Sequence, residues 1–157
     1  MRKLLLVCLL IVLFSCSKEN EEVVVNLQNE VAINEIKKLD LDTKYKNLLN
    51  PEFTTDEEYK EVTKSWGDFH KQVGKVLKEN DFDWGVKDSS VKILNKIYFN
   101  KDGEVNYMMF KVMNENVTSS KKREYEQLLT ENITKLKIDL TRKEKFAQCG
   151  NVKYLNK

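Results

Sequence analysis

The stretch VKILNKIYFNKDGEVNYMMFKVM, residues 91–113, alternates apolar with polar side chains on both sides of a short turn. A period of two is typical of a strand with one buried face, and here that face carries Val91, Ile93, Ile97 and Phe99. The opposite face carries Lys92, Lys96 and Tyr98. Asp102 and Gly103 supply the positive φ that a tight turn requires, and residues 105–113 read as a second strand. The pattern predicts an antiparallel hairpin.

A helix and one more strand are predicted after the hairpin. The segment VTSSKKREYEQLLTENITKL begins with three residues that can act as a helix N-cap: Thr118, Ser119 and Ser120. A helical stripe of apolar residues follows: Tyr125, Leu128, Leu129, Ile133 and Leu136. A strand is expected over about residues 145–155, with a bulge or turn at Gly150. Residues 91–157 therefore have the predicted order β-β-α-β.

The clearest helix signal lies upstream of the hairpin. Thr54 and Thr55 are each followed three residues later by a glutamate, so either register offers a capping box. Apolar residues then recur at spacings of three and four: Tyr59, Val62, Trp66, Phe69, Val73 and Val76. This stripe predicts a helix to about Glu79. Gly67 and Gly74 each lower its intrinsic stability by about 1 kcal/mol relative to alanine, so the helix depends on tertiary packing.

These elements predict one globular domain over residues 27–157, helical over residues 27–80 and β-β-α-β over residues 91–157. The expected fold class is α+β. A small antiparallel sheet, built as hairpin, helix and strand, packs with N-terminal amphipathic helices, because each element has one apolar face to bury.

The N-terminus has the three-part layout of an export signal. Arg2 and Lys3 precede an apolar run over residues 4–14, which ends at Ser15 and Cys16. The run is about half of the roughly 20 residues that a membrane-spanning helix needs. We therefore predict a cleaved signal peptide over residues 1–15.

The end of this signal, Leu13-Phe14-Ser15-Cys16, resembles the lipobox of bacterial lipoproteins. In that family the cysteine thiol receives a diacylglycerol, the signal is cut just before it, and the freed amine is acylated, for example with palmitate. The resemblance implies that Cys16 is the lipidation site and that residues 16–26 form an acidic and polar tether. An ordinary secretory signal and a cytosolic protein with an apolar start are the alternatives.

The residues after the lipobox bear on location. Ser17, rather than an aspartate, follows the cysteine, and the resemblance to many Gram-negative lipoproteins with this pattern implies the outer membrane. The segment SKENEE is similar to the charged tether that some of these bacteria use for surface display. An acidic linker is also typical of any solvated tether, so a periplasm-facing and a cell-surface position both stay open.

A second resemblance concerns residues 91–157. IYFNKDGEVNYMMFKVM, followed by a helix and a terminal strand, is similar to the C-terminal domain of TonB, in which a comparable turn joins two strands. The likeness implies an envelope interaction module that can accept a partner strand. The sequence lacks the proline and tryptophan signature that usually follows the helix of that family, so energy transduction is not implied.

Few residues offer catalytic chemistry. His70 lies one residue off the apolar helix stripe, so we expect a boundary or surface residue rather than a general base. DFDWG places Asp81 and Asp83 beside aromatic side chains, as in some glycan sites, but two acids at a helix-to-strand turn explain the pattern equally well. We expect no catalytic residues, no cofactor and no metal site.

Cysteine usage excludes an intramolecular disulfide in the lipidated protein. Cys8 leaves with the signal and Cys16 carries lipid, which leaves Cys149 alone. A small buried hydrophobe is the commoner role for such a residue, and a reactive thiol is the alternative.

The charge balance excludes a nucleic-acid footprint. Of the 27 basic residues, Arg2 and Lys3 leave with the signal, and 25 remain against 25 acidic ones. The leading functional hypothesis is a non-enzymatic, lipid-anchored envelope protein that binds a protein, a peptide or an envelope polymer through its sheet edge or a helix face. The alternatives are an envelope hydrolase or thiol-active protein that uses Asp81, Asp83 or Cys149, and an inhibitory, immunity-like lipoprotein.

Overall fold

The structure is a computed structural model that describes residues 23–156. The predicted signal peptide, Cys16 and the first part of the tether lie outside these residues. The strands are β1 (Val23–Asn26), β2 (Lys46–Asn47), β3 (Ser90–Phe99), β4 (Val105–Val112) and β5 (Phe146–Leu155). The helices are α1 (Glu30–Lys38), α2 (Leu41–Lys44), α3 (Asp56–Glu79) and α4 (Ser119–Asn132), with short 3-10 turns at Pro51–Phe53 and Ile133–Lys135.

The five strands form one sheet in the order β1-β4-β3-β5-β2. The predicted α+β class and the hairpin-helix-strand unit are confirmed. The prediction of an antiparallel sheet is wrong in one respect, because β1 runs parallel to β4 and β2 runs parallel to β5. Only β3 pairs antiparallel, with β4 on one side and β5 on the other.

Strand β1 lies in the segment that was predicted as tether. Val23, Val24 and Val25 are consecutive β-branched residues, which favour a pleated strand. Val24 is buried in the core between the sheet and helices α3 and α4, and Val25 is buried on the opposite face. The described part of the tether segment is therefore an edge strand of the domain.

The hairpin closes as predicted. The Asn100 N–H donates to the Glu104 carbonyl at 2.9 Å, and Gly103 has a φ of +88°. A Cβ at Gly103 would lie 2.4 Å from the Ile138 carbonyl oxygen, so only glycine fits this turn. The bulge predicted at Gly150 is wrong, because β5 keeps its register with β3 throughout, and a shift occurs instead in the β3–β4 pairing between Tyr98 and Phe99.

Helix α3 begins with the capping box in its second register. The Glu58 N–H donates to the Thr55 hydroxyl at 3.3 Å, and the Thr55 N–H donates to the Glu58 carboxylate at 2.9 Å. The predicted end at Glu79 is confirmed. Among the described residues, no helix is long and apolar enough to cross a membrane.

Helices cover both faces of the sheet. The larger core lies between the sheet and helices α3 and α4, and includes Phe69, Ile93, Phe110 and Leu129. A smaller core lies under α1 and α2 on the other face: Val25, Leu41, Tyr45, Tyr98, Met109 and Ala147. Tyr98, predicted on the polar face of β3, is therefore buried, and its hydroxyl donates to Asp42 at 2.8 Å.

Candidate functional site

Strand β5 has an outer edge that the sheet leaves largely uncovered. On its inner side β3 pairs with every residue of β5, from Phe146 to Leu155. On its outer side the two-residue strand β2 pairs only with Phe146 and Ala147. Beyond Ala147, no strand of the described chain covers this edge, which is consistent with a site for strand addition.

The hydrogen-bond pattern fixes which backbone groups face outward. The Ala147 carbonyl accepts from the Leu48 N–H at 2.9 Å, on the outer side. The Asn156 N–H donates to the Ser89 carbonyl at 2.9 Å, on the inner side. Because the direction alternates along an antiparallel strand, the outward groups belong to the odd-numbered residues: Cys149, Asn151, Lys153 and Leu155.

A groove of about 660 Å³ runs between this edge and helix α3. Residues 151–156 form its strand side. Trp66, His70 and Leu77 of α3 and Phe82 beyond it form an apolar wall. Leu155 is 87% exposed at the end of the groove, which is unusual for a large apolar side chain.

Two glycines of α3 give the groove its depth. Gly67 and Gly74 are seven residues apart, two turns of helix, and both line the groove. A Cβ at Gly67 would meet nothing within 4 Å, and one at Gly74 would lie 4.0 Å from Tyr154 Cδ1. The sequence identified these glycines only as residues that weaken the helix, although their heptad spacing is a signal of a shared face.

The prediction for His70 is wrong, because the residue is buried, with 5% of its surface exposed. Its Nδ1 lies 2.5 Å from the Tyr154 hydroxyl, and its ring packs edge-on against Trp66 at 4.1 Å between centroids. The spacing of Trp66, His70, Val73 and Leu77 by four, three and four residues places His70 on the buried stripe.

Burial sets the protonation of this pair. It lowers the pKa of His70 from 6.5 to about 3, because desolvation disfavours the imidazolium. Burial also raises the pKa of Tyr154 well above its ordinary value. Both groups are neutral near pH 7. The His70 Nε2 has no hydrogen-bond partner within the part of the chain that the structure describes.

The charged side chains that line the groove are all lysines. Lys71, Lys78 and Lys153 line it, and no aspartate or glutamate is found among its described lining residues. Outside the groove, Asp68 binds Lys71 at 2.7 Å and Lys64 at 2.9 Å, and these contacts lower the pKa of Asp68 to about 2. Lys71 is thus paired with a carboxylate, and the positive charge at the groove comes mainly from Lys78 and Lys153.

The two aspartates of DFDWG lie at a turn. Both are exposed, and Asp81 has a left-handed φ of +51°. Asp83 accepts from the Gly85 N–H at 2.7 Å and binds Lys121 at 3.2 Å. These contacts hold the pKa of Asp83 below its usual value, whereas a general acid needs a raised one.

Cys149 is half-buried, and burial raises the pKa of its thiol, so the thiol is protonated near neutral pH. Within residues 23–156, no group of three or more His, Cys, Asp or Glu side chains is arranged to hold a metal ion.

Comparisons with protein-family models, with curated protein sequences and with solved structures find no match to this chain. The likeness to the TonB C-terminal domain stays a prediction.

Proposed function

We propose that this protein is a lipid-anchored, non-enzymatic interaction protein of the outer membrane, which holds an extended segment of a partner protein in the groove between α3 and β5. The observation that carries the proposal is the open edge of β5 beside an apolar groove. Strand addition to such an edge gives affinity through main-chain hydrogen bonds, and an adjacent groove gives specificity through alternate side chains.

The dimensions fit a short segment. Residues 149–155 of β5 extend over about 20 Å, since a strand rises about 3.3 Å per residue. A partner strand of about seven residues would therefore cover the outward N–H and C=O groups. Those groups have a geometry that another polypeptide backbone satisfies, which supports a peptide occupant.

The groups at the groove support binding rather than catalysis. Its only buried titratable pair is His70 with Tyr154, within the described chain. A base with a pKa of about 3 is too weak to take a proton from a substrate near neutral pH. The three lysines at the groove can attract and orient a ligand without taking part in bond cleavage.

The lipid anchor and the groove are compatible in space. Seven residue steps separate Cys16 from Val23, so the start of β1 lies within about 25 Å of the lipidated residue. Strand β1 is at one edge of the sheet, and β5 is three strands away, about 14 Å across the sheet. An anchored domain would thus keep the β5 edge on the side away from the tether.

The anchor is tested by the intact mass of the membrane-extracted protein and by proteinase digestion of whole cells. We expect residues 16–157 with two or three acyl chains. Loss on digestion would indicate the cell surface, and protection would indicate the periplasm. Cys16→Ser is expected to stop lipidation without unfolding the domain, and normal membrane retention of that variant would contradict the proposal.

The edge is tested by photo-crosslinking in cells, with a photoreactive phenylalanine analogue at Leu155. Lys153→Pro removes one outward N–H and leaves the β3–β5 hydrogen bonds intact, and proline is tolerated at such positions of an edge strand. The matched control, Lys153→Ala, keeps the N–H. We expect protein adducts that are lost with proline and only reduced with alanine, which removes the Lys153 charge but keeps the N–H. Equal adducts in both variants would refute strand addition at this edge.

A further inference from the structure

We infer that the groove selects an extended acidic segment, in which apolar side chains that enter the groove alternate with carboxylates that meet Lys153 on the other face of the edge strand. This inference rests on the proposed function and names the chemistry of its partner. It follows from the side-chain alternation of β5, from the charges at the groove and from the two glycines of α3.

The faces of β5 set the required pattern. Phe146 and Tyr154 point into the core under α3, whereas Ala147 belongs to the core on the other face. Odd-numbered residues, including Lys153 and Leu155, therefore lie on the face away from α3. An added strand would direct every second side chain toward α3 and the others toward Lys153, so its two faces need different chemistry.

The face toward α3 favours apolar side chains. Gly67 and Gly74 leave the groove open, and Trp66 and Leu77 form its wall. A saturated acyl chain would also fit this wall, but it would leave the outward backbone groups of β5 without hydrogen-bond partners. A peptide satisfies both the wall and the edge.

The other requirement is negative charge. Lys153 is at the edge itself, on the face to which these carboxylates would point, and the exposed Lys92 of β3 is its direct cross-strand partner there. Opposite charges facing each other across neighbouring strands stabilise the pair, and like charges destabilise it. A second copy of this chain would bring its own lysines to the same place, so the charges disfavour self-pairing and favour an acidic partner.

Binding is measured by fluorescence anisotropy with the whole chain in mild detergent. The probe is a labelled seven-residue peptide in which valine alternates with glutamate. The matched peptide has lysine in place of glutamate, and a third has alternate backbone nitrogens methylated. We expect the glutamate peptide to bind at least tenfold more tightly than the lysine peptide at low salt, with a smaller ratio at high salt. Methylation is expected to abolish binding.

Two variants of the protein locate the site. Gly67→Leu fills the groove at a position with nothing within 4 Å, and leucine is a better helix former than glycine, so the fold is retained. We expect Gly67→Leu to reduce the affinity for the glutamate peptide at least tenfold. Thr130→Leu adds the same side chain to an exposed position of α4 and is expected to leave affinity unchanged.

The outcomes separate the inference from the proposed function. If the glutamate and lysine peptides bind equally well, and Lys153→Pro abolishes the binding of both, the acidic selectivity is overturned and the proposed strand addition is retained. Binding of laurate in place of any peptide would overturn both. Full affinity in Gly67→Leu would show that the groove is not the site.

Discussion

Protonation of His70 should control the stability of this domain between pH 5 and pH 7. The sequence contains one histidine, so no second imidazole titrates in this range. Its pKa falls from 6.5 to about 3 on burial. Because the folded pKa is the lower one, the unfolded chain binds the proton more tightly. The stabilisation is present above pH 6.5 and is lost as the pH falls toward 3.

The size of the effect follows from this pKa difference. One pKa unit corresponds to about 1.4 kcal/mol, so lowering the pH from 7 to 5 should reduce the free energy of unfolding by about 2 kcal/mol. That is a large part of the 5–15 kcal/mol typical of a domain. Asp68 contributes little here, because its pKa of about 2 places its titration at lower pH.

Urea denaturation of residues 16–157 carrying Cys16→Ser, at pH 5, 6 and 7, measures this loss. His70→Gln keeps a polar group beside Tyr154 but has no proton to gain. We expect the variant to be less stable at pH 7 by about 1–2 kcal/mol, and nearly independent of pH between 5 and 7. A wild-type protein with equal stability at pH 5 and 7, or a pH dependence that survives in His70→Gln, would refute the burial argument.

Three further predictions use thermal melts followed by circular dichroism. Gly103→Ala should cost about 2–5 kcal/mol, from the left-handed φ and the contact with the Ile138 carbonyl, so a change in melting temperature under 3 °C would contradict it. Gly67→Ala should stabilise α3 by about 1 kcal/mol, and a lower melting temperature would show that the glycine is needed for packing. Asp42→Asn should lower the free energy of unfolding by about 1 kcal/mol, because the hydrogen bonds from Lys96 and Tyr98 become weaker. The double variant Asp42→Asn with Tyr98→Phe should lose less than the sum of the two single variants, and an additive loss would contradict the coupling between these two side chains.

The sequence predicted the elements whose signals are local. The hairpin turn rests on Asp102 and Gly103, and the start of α3 rests on Thr55 with Glu58, so neighbouring residues suffice to identify both. The order of β3, β4, α4 and β5 follows from a change of hydrophobic period along the chain. Adjacent antiparallel strands need only a short connection, which makes their pairing readable from sequence.

The parallel pairs could not be read in this way. Val23 pairs with Tyr107, more than 80 residues away, and a run of three valines after a charged segment does not reveal its partner. Strand β2 has only two residues, which is too short for a hydrophobic period, and it is defined by its pairing with Phe146 and Ala147 of β5. The burial of Tyr98 depends on α2, whose position no local pattern of β3 encodes.

The candidate groove depends on the same long-range packing, although the sequence pattern of α3 indicates part of its wall. The spacing of the apolar residues puts Phe69 on the stripe and predicts a boundary or surface position for His70, yet both residues are buried on a wide apolar face of α3. The open edge of β5 has no sequence signal, because it results from the shortness of β2. Only the topology shows where pairing stops.

A lysine on an edge strand is also an ordinary protection against aggregation, so Lys153 alone does not indicate a binding site. The glycines distinguish the two roles. Gly67 and Gly74 together cost α3 about 2 kcal/mol of helix stability relative to alanine. At Gly67 an alanine would contact nothing within 4 Å, so packing within the described chain does not require glycine there. An edge that needed only protection would be more stable with alanine, whereas an edge that receives side chains from a partner needs the open space.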